Sequence, residues 1–144
     1  MYIEPTQESG TALFMRGISA EVVMLNLLRF REVADYADHP ELAPDEPISG
    51  REAYQRYIEF TEPFLAESGG EVVFLGEGGT FLIGPMDETW DVVMLIRQKS
   101  VAGFFAFASN AAYLAGIGHR TAALADSRLL PLVEYVNGDI TATD

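Results

Sequence analysis

Val22-Val23-Met24-Leu25 recurs seventy positions later as Val92-Val93-Met94-Leu95, and around both copies odd and even positions are apolar alike. Successive side chains of a strand point to opposite faces, so a strand apolar in both registers is one buried on both faces. The two segments, about Ala20 to Phe30 and Trp90 to Arg97, therefore belong at the centre of a sheet. Asn26 interrupts the first copy with a carboxamide whose donors and acceptor all need partners.

The rest of the chain arranges itself around these strands. Residues 5–17 can form a short helix capped by Thr6 and closed by Gly17. Residues 32–47, EVADYADHPELAPDEP, combine acids and prolines without periodicity and read as an exposed acidic insertion. Ser49-Gly50-Arg51-Glu52 fits a Ser-x-x-Glu capping box, which starts a helix running to about Ser68. Its apolar positions Ala53, Tyr54, Tyr57, Ile58, Phe64 and Leu65 fall near one face, with Arg51 and Gln55 off it; Pro63 predicts a kink and Gly69-Gly70 an end. Residues 71–76, EVVFLG, read as a strand, followed by a Gly-Glu-Gly-Gly turn and the short run Phe81-Leu82-Ile83, a hairpin at a sheet edge. Ser100 can cap a helical region extending to about Ala125 and broken at Ser109-Asn110. Ser127 to Val136 is the last strand, confined to an edge because Pro131 lacks a ladder donor, and the tail frays after Asn137.

This order predicts an α+β, ferredoxin-like split βαβ protomer: an antiparallel sheet of order 4-1-3-2 with helices on one face and strands one and three in the middle. Residues 1–144 form a single domain, with a core at about 20–136, an N-terminal extension at 1–19 and the acidic insertion at 32–48. Two helices cover only one sheet face, yet Val22, Met24 and Leu28 alternate with Val23, Leu25 and Leu27. A bare apolar sheet face exceeds what a monomer leaves in water, so a homodimer with facing sheets, a dimeric α/β barrel, is expected.

Charge and composition narrow the partners. A formal charge of -13 with nine Lys and Arg repels phosphate backbones and anionic lipid, so neither nucleic acid nor membrane is an expected partner. Zero cysteines exclude thiolate nucleophiles and Cys-ligated metals. The N-terminus lacks a basic-then-apolar signal and no apolar run approaches the ~20 residues of a membrane span, so a cytoplasmic location is expected.

VVMLNLLRFRE at 22–32, SGREAYQRY at 49–57, Gly69-Gly70, Trp90-Asp91, Tyr113, His119-Arg120 and ADSRL at 125–129 together resemble the domain-of-unknown-function family number 1330 of the dimeric α/β-barrel superfamily, over about residues 5–136. The resemblance implies a ferredoxin-like protomer and a homodimeric barrel, with no reaction attached. Relatives in the superfamily include cofactor-free monooxygenases, isomerases and haem-binding enzymes, so fold alone does not choose among functions. Haem-degrading members use Asn, Trp and His; here Trp90 precedes strand three and His119 lies late in the last helix, unlike that pattern.

Six residues are candidates for a site. Asn26 either bonds the neighbouring backbone or points at a ligand cavity, since leaving it unpaired would cost about 1–3 kcal/mol. Arg29 and Arg31 either pair with surface acids, or one of them captures a carboxylate at a cavity mouth. His119 is either a helix-end cation, like Arg120, or a general base or metal ligand titrating near neutrality; His39, in the acidic insertion, carries little weight. Trp90 and Tyr57, with Tyr54 and Tyr113, supply aromatic walls or core. Asp126 is expected to pair with Arg120 or Arg128. No phosphate loop, metal-ligand spacing or nucleophile elbow is present, and no cofactor or metal is expected.

The leading expectation is a small homodimer that binds a small organic ligand in a mostly apolar cavity between sheet and helices, with Asn26, Arg29, Trp90, Tyr57 and Arg120 as ligand contacts. A cofactor-independent oxygenase or isomerase with His119 as base is the alternative, and a purely structural dimer the third.

Overall fold

The two Val-Val-Met-Leu copies lie side by side. In the computed structural model, which describes residues 1–141, β1 (Val22–Phe30) pairs antiparallel with β3 (Thr89–Gln98), placing Asn26 opposite Met94 and Leu28 opposite Val92. β2 (Glu71–Thr80) flanks β3 and β4 (Leu124–Leu132) flanks β1, so the order β2-β3-β1-β4 is the expected 4-1-3-2 sheet read from its other edge. The protomer is ferredoxin-like, and Pro131 sits on an edge strand as its missing N–H requires.

Helices cover one face. Thr6 caps α1 (Gln7–Met15), whose Leu13 packs with Val22, Met24 and Val101, while Phe14 and Met15 remain exposed. Ser49 caps α2 (Gly50–Glu67), and its hydroxyl accepts from the Glu52 N–H at 3.1 Å. Gly50, Ala53, Tyr54, Tyr57, Thr61 and Leu65 are its buried positions, and the helix runs on past Pro63 as one element. Gly69, at φ +82°, ends it by taking a left-handed conformation that a β-carbon would oppose. The predicted break at Ser109-Asn110 separates α3 (Val101–Ala108) from α4 (Ala111–Leu114), with Asn110 Oδ1 accepting from Ala112 and Tyr113 N–H. A second break leaves α5 (Gly118–Ala123) as a separate turn and a half. The main core joins Leu28, Met94 and Leu124 from the sheet to Ala53, Tyr54, Tyr57 and Tyr113 from the helices. No single described helix is long and apolar enough to cross a membrane.

Three expectations need correction. Gly76–Gly79 is not a turn: β2 runs unbroken to Thr80, because at Gly78 the strand passes so close to the Trp90 carbonyl that a β-carbon would collide with it. Phe81-Leu82-Ile83 is consequently part of the β2–β3 connection, with Leu82 and Ile83 almost wholly exposed. The last strand begins three residues earlier than expected and stops at Leu132 rather than Val136, since α5 ends at Ala123. The acidic insertion is exposed as expected, with none of residues 32–47 buried, and it is also anchored. Ala34 N–H donates to Ile48 O and Asp35 N–H to Ala122 O, both at 2.9 Å, and Ala34, Tyr36 and Ile48 pack against the main core. The tail beyond Asn137 forms turns to Thr141; the frayed end expected there also covers residues 142–144, which lie outside the described residues.

Candidate functional site

Register sorts the sheet residues by face. Val22, Met24, Asn26 and Leu28 alternate as buried positions of β1 against the helices, and Val23, Leu25, Leu27 and Arg29 occupy the other, helix-free face. Opposite these on β4 stand Leu132, Leu130, Arg128 and Asp126. On β3 and β2 the same face carries Val93, Leu95 and Phe74, whose ring lies across Gly76. The result is an apolar field across all four strands. At one end Arg97 pairs with Glu21 and Glu71, and at the other Asp126 lies between Arg128 and Arg29. Between Leu25, Leu27 and Leu130 the field dips into a depression of about 350 Å³.

Asn26 faces the helix side and is 7% exposed. Its Nδ2 donates to the carbonyls of Met24 at 3.2 Å and Met94 at 3.3 Å, so the amide donors are satisfied by the sheet itself. Arg29, on the opposite face, donates from Nε and a terminal nitrogen to Thr89 O at 2.9 and 2.6 Å, and reaches Asp126 at 3.6 Å. Its guanidinium lies 4.4 Å from the centroid of Trp90, which Arg128 also approaches at 5.2 Å, while the indole N–H donates to Glu88. Arg29 and Trp90 are thus neighbours, in an ion-paired corner of the open sheet face.

Tyr57 and Tyr113 share a hydroxyl hydrogen bond of 2.7 Å inside the main core, with Tyr54 packed against Tyr57. Burial, and after it the neighbouring Tyr57, pushes the Tyr54 and Tyr113 phenols well above their usual value, with Arg120 opposing. They therefore stay protonated at neutral pH. Arg120 donates to the Ile3 carbonyl and to Ser127 Oγ at 3.5 Å rather than to Asp126. Asp126 takes Arg128 instead, at 2.7 Å, together with the Tyr2 and Ser127 N–H groups. Burial raises its carboxyl, but these donors outweigh burial and hold it at about 2.

His119 belongs to a third place. Its Nδ1 lies 2.8 Å from the Tyr36 hydroxyl of the acidic insertion, edge-on to that ring, and burial and then Arg56 push its pKa below the usual imidazole value. The imidazole is neutral at pH 7. Asn26, Arg29 and His119 have no hydrogen-bonding or ionic partner in common among the described residues.

The open cleft on the helix side involves none of these six residues. It measures about 250 Å³ and lies between the first turns of α2 and the β2–β3 pair, lined by Phe30, Arg51, Tyr54, Gln55, Ile58, Leu75, Gly76, Glu77 and Val92. Sequence reasoning placed Arg51 and Gln55 on the solvent side of α2. The missed signal is their spacing: Arg51, Gln55 and Ile58, four and then three apart, form a stripe beside Tyr54, and that stripe faces β2.

Two crystal structures of one protein resemble the chain over nearly its whole length. The methylated RPA0582 protein is 36% identical, with a TM-score of 0.83 over 96% of this chain and 98% of its own. The RPA0582 protein from Rhodopseudomonas palustris, described as of unknown function, matches at 37% identity and a TM-score of 0.78 over 91% and 95%. No protein-family model matches the chain, and no curated protein does.

Proposed function

From the premise that the chain belongs to the family of the RPA0582 protein of Rhodopseudomonas palustris, a protein of unknown function, we propose that it is a homodimer joined through its open sheet faces and that each protomer binds a small organic ligand in the α2–β2 cleft. The observation that carries the dimer is the uncovered apolar field of Phe74, Val93, Leu95, Val23, Leu25, Leu27, Leu130 and Leu132. Four strands about 4.8 Å apart and some five residues at ~3.4 Å each give a planar footprint on the order of 300 Å², the lower end of the range in which the largest apolar patch of a protein is often functional. A stable interface takes about 800 Å² from each partner, so flanking apolar groups must join it. The β2–β3 connection offers Leu82, Ile83 and Met86, all at least 75% exposed.

The cleft supports the ligand half of the reading, because its lining is mostly apolar with a few polar groups at the mouth, the usual composition of small-molecule sites. Its volume lies below the ~300–1,000 Å³ of sites for drug-sized molecules, so the ligand is smaller than those. Catalysis with His119 as base, the alternative raised by the sequence, draws no support from the geometry, in which His119 neighbours Tyr36 and Arg56 rather than the cleft lining. For the narrower placement in domain-of-unknown-function family number 1330, the motifs quoted above are the support. Sedimentation equilibrium at micromolar concentrations tests the dimer: a species of twice 15.8 kDa is expected, and a monomer at every concentration refutes it.

A further inference from the structure

We propose that the α2–β2 cleft is a site for monocarboxylates with a compact apolar body, with Arg51 as the carboxylate anchor; this deepens the ligand half of the proposed function and rests on it. Arg51 stands at the mouth with its guanidinium 5.3 Å from the centroid of Phe30, a lining residue. Its one acidic neighbour among the described residues is Asp91, at 3.8 Å, beyond hydrogen-bond reach. Asp91 holds it as a loose ion pair only, its other oxygen accepting the Phe30 N–H at 2.8 Å. Arg51 therefore makes no hydrogen bond to any described residue, although the chain carries 22 acids. A guanidinium held over an aromatic ring with its N–H fork unused is suited to a planar carboxylate.

The other linings set the rest of the ligand. Tyr54, Ile58 and Leu75 offer apolar walls, with Val92 on the sheet side. Glu77 also lines the cleft, and with a net charge of -13 behind it the site disfavours a second negative charge. One anionic group and a body without further charge satisfy both constraints.

The test uses the full chain with sodium benzoate as probe, benzamide as its neutral isostere and inorganic phosphate as the multiply charged anion, followed by amide chemical shifts. Benzoate is expected to shift Tyr54, Leu75 and Gly76 saturably and benzamide about tenfold more weakly, as loss of a charge-assisted pair implies. Phosphate is expected to leave these amides unmoved. Arg51→Gln, at a side chain 56% exposed, should keep the fold and weaken benzoate to the level of benzamide, and Leu75→Trp, at a position 54% exposed, should block both. Equal affinities for benzoate and benzamide at these amides, or benzoate binding unchanged in Arg51→Gln, overturn the carboxylate assignment while leaving a ligand cleft. Shifts confined to residues elsewhere, or none with either aromatic probe, overturn both.

Discussion

Leu130→Asp is the sharpest probe of how this sheet is covered. Leu130 lies on the helix-free face opposite Leu25 and is 52% exposed in the protomer. Full burial of a leucine side chain is worth about 1.5–3 kcal/mol, so the half still in water can contribute about 1 kcal/mol on association. Aspartate forfeits that and must also bring a carboxylate into a depression of Leu25, Leu27 and Leu129 whose one cation, Arg128, is already paired with Asp126, so the added charge costs several kcal/mol. Two-fold symmetry places the substitution on both sides of the interface, and together these terms amount to at least ~4 kcal/mol, or about a thousandfold in dimer dissociation constant. Sedimentation equilibrium across three decades of concentration measures the shift, and far-UV circular dichroism checks that the protomer survives, as it should for a half-exposed side chain. If Leu130→Asp associates as tightly as the parent, the open face is not the interface and the explanation of its apolar strands fails.

Further outcomes follow from the other placements. Asn26→Leu should change stability by less than about 1 kcal/mol in urea titrations, because two hydrogen bonds at 3.2 and 3.3 Å are lost while buried apolar surface is gained; a gain of about 2 kcal/mol or more, the cost of an unsatisfied buried amide, would contradict a donor satisfied by its own sheet. Asn26→Asp should cost more, about 2–3 kcal/mol, since an acceptor would then face two carbonyls. Asp126, held at about 2 in the folded chain, contributes stability that is full above about pH 4 and is lost as pH falls through 2. Asp126→Asn should therefore cost up to about 2 kcal/mol at pH 7 and nothing near pH 2; a pH-independent cost points to packing instead. For His119 the sign is the same: its depressed pKa makes stability full above about 6.5 and lower as pH falls through the folded value. Arg56→Gln should raise the His119 titration midpoint in proton NMR, and an unmoved midpoint would remove Arg56 as a cause.

Much of the architecture was legible because it rests on local rules. Thr6, Ser49, Ser100 and Asn110 were read as caps or breaks, and all four accept backbone N–H hydrogen bonds at helix starts. Pro131 marked an edge and the doubled Val-Val-Met-Leu marked the centre, since hydrogen-bond loss and period-two burial act within a single strand. Gly76–Gly79 was misread as a turn because glycine serves equally where a chain must pass close to another backbone, and only the partner strand reveals which case holds.

The candidate site shows the limit more sharply. Asn26, Arg29, Trp90, Tyr57, Arg120 and His119 were chosen for residue chemistry, and sequence carries that chemistry without carrying its company. Strand parity sends Asn26 and Arg29 to opposite faces, Tyr57 bonds Tyr113 across two helices, and His119 meets Tyr36 from the acidic insertion. By itself the sequence determined the strands, the caps and a sheet with one apolar face left over, because periodicity and capping act over a few residues. Only the tertiary structure decided which polar groups are already satisfied and that Arg51, ion-paired to Asp91 but without a hydrogen bond, faces a cleft. Several of the deciding contacts, among them Arg29 with Thr89, Tyr36 with His119 and Tyr57 with Tyr113, join segments far apart in the chain, and their availability is a property of the packed chain.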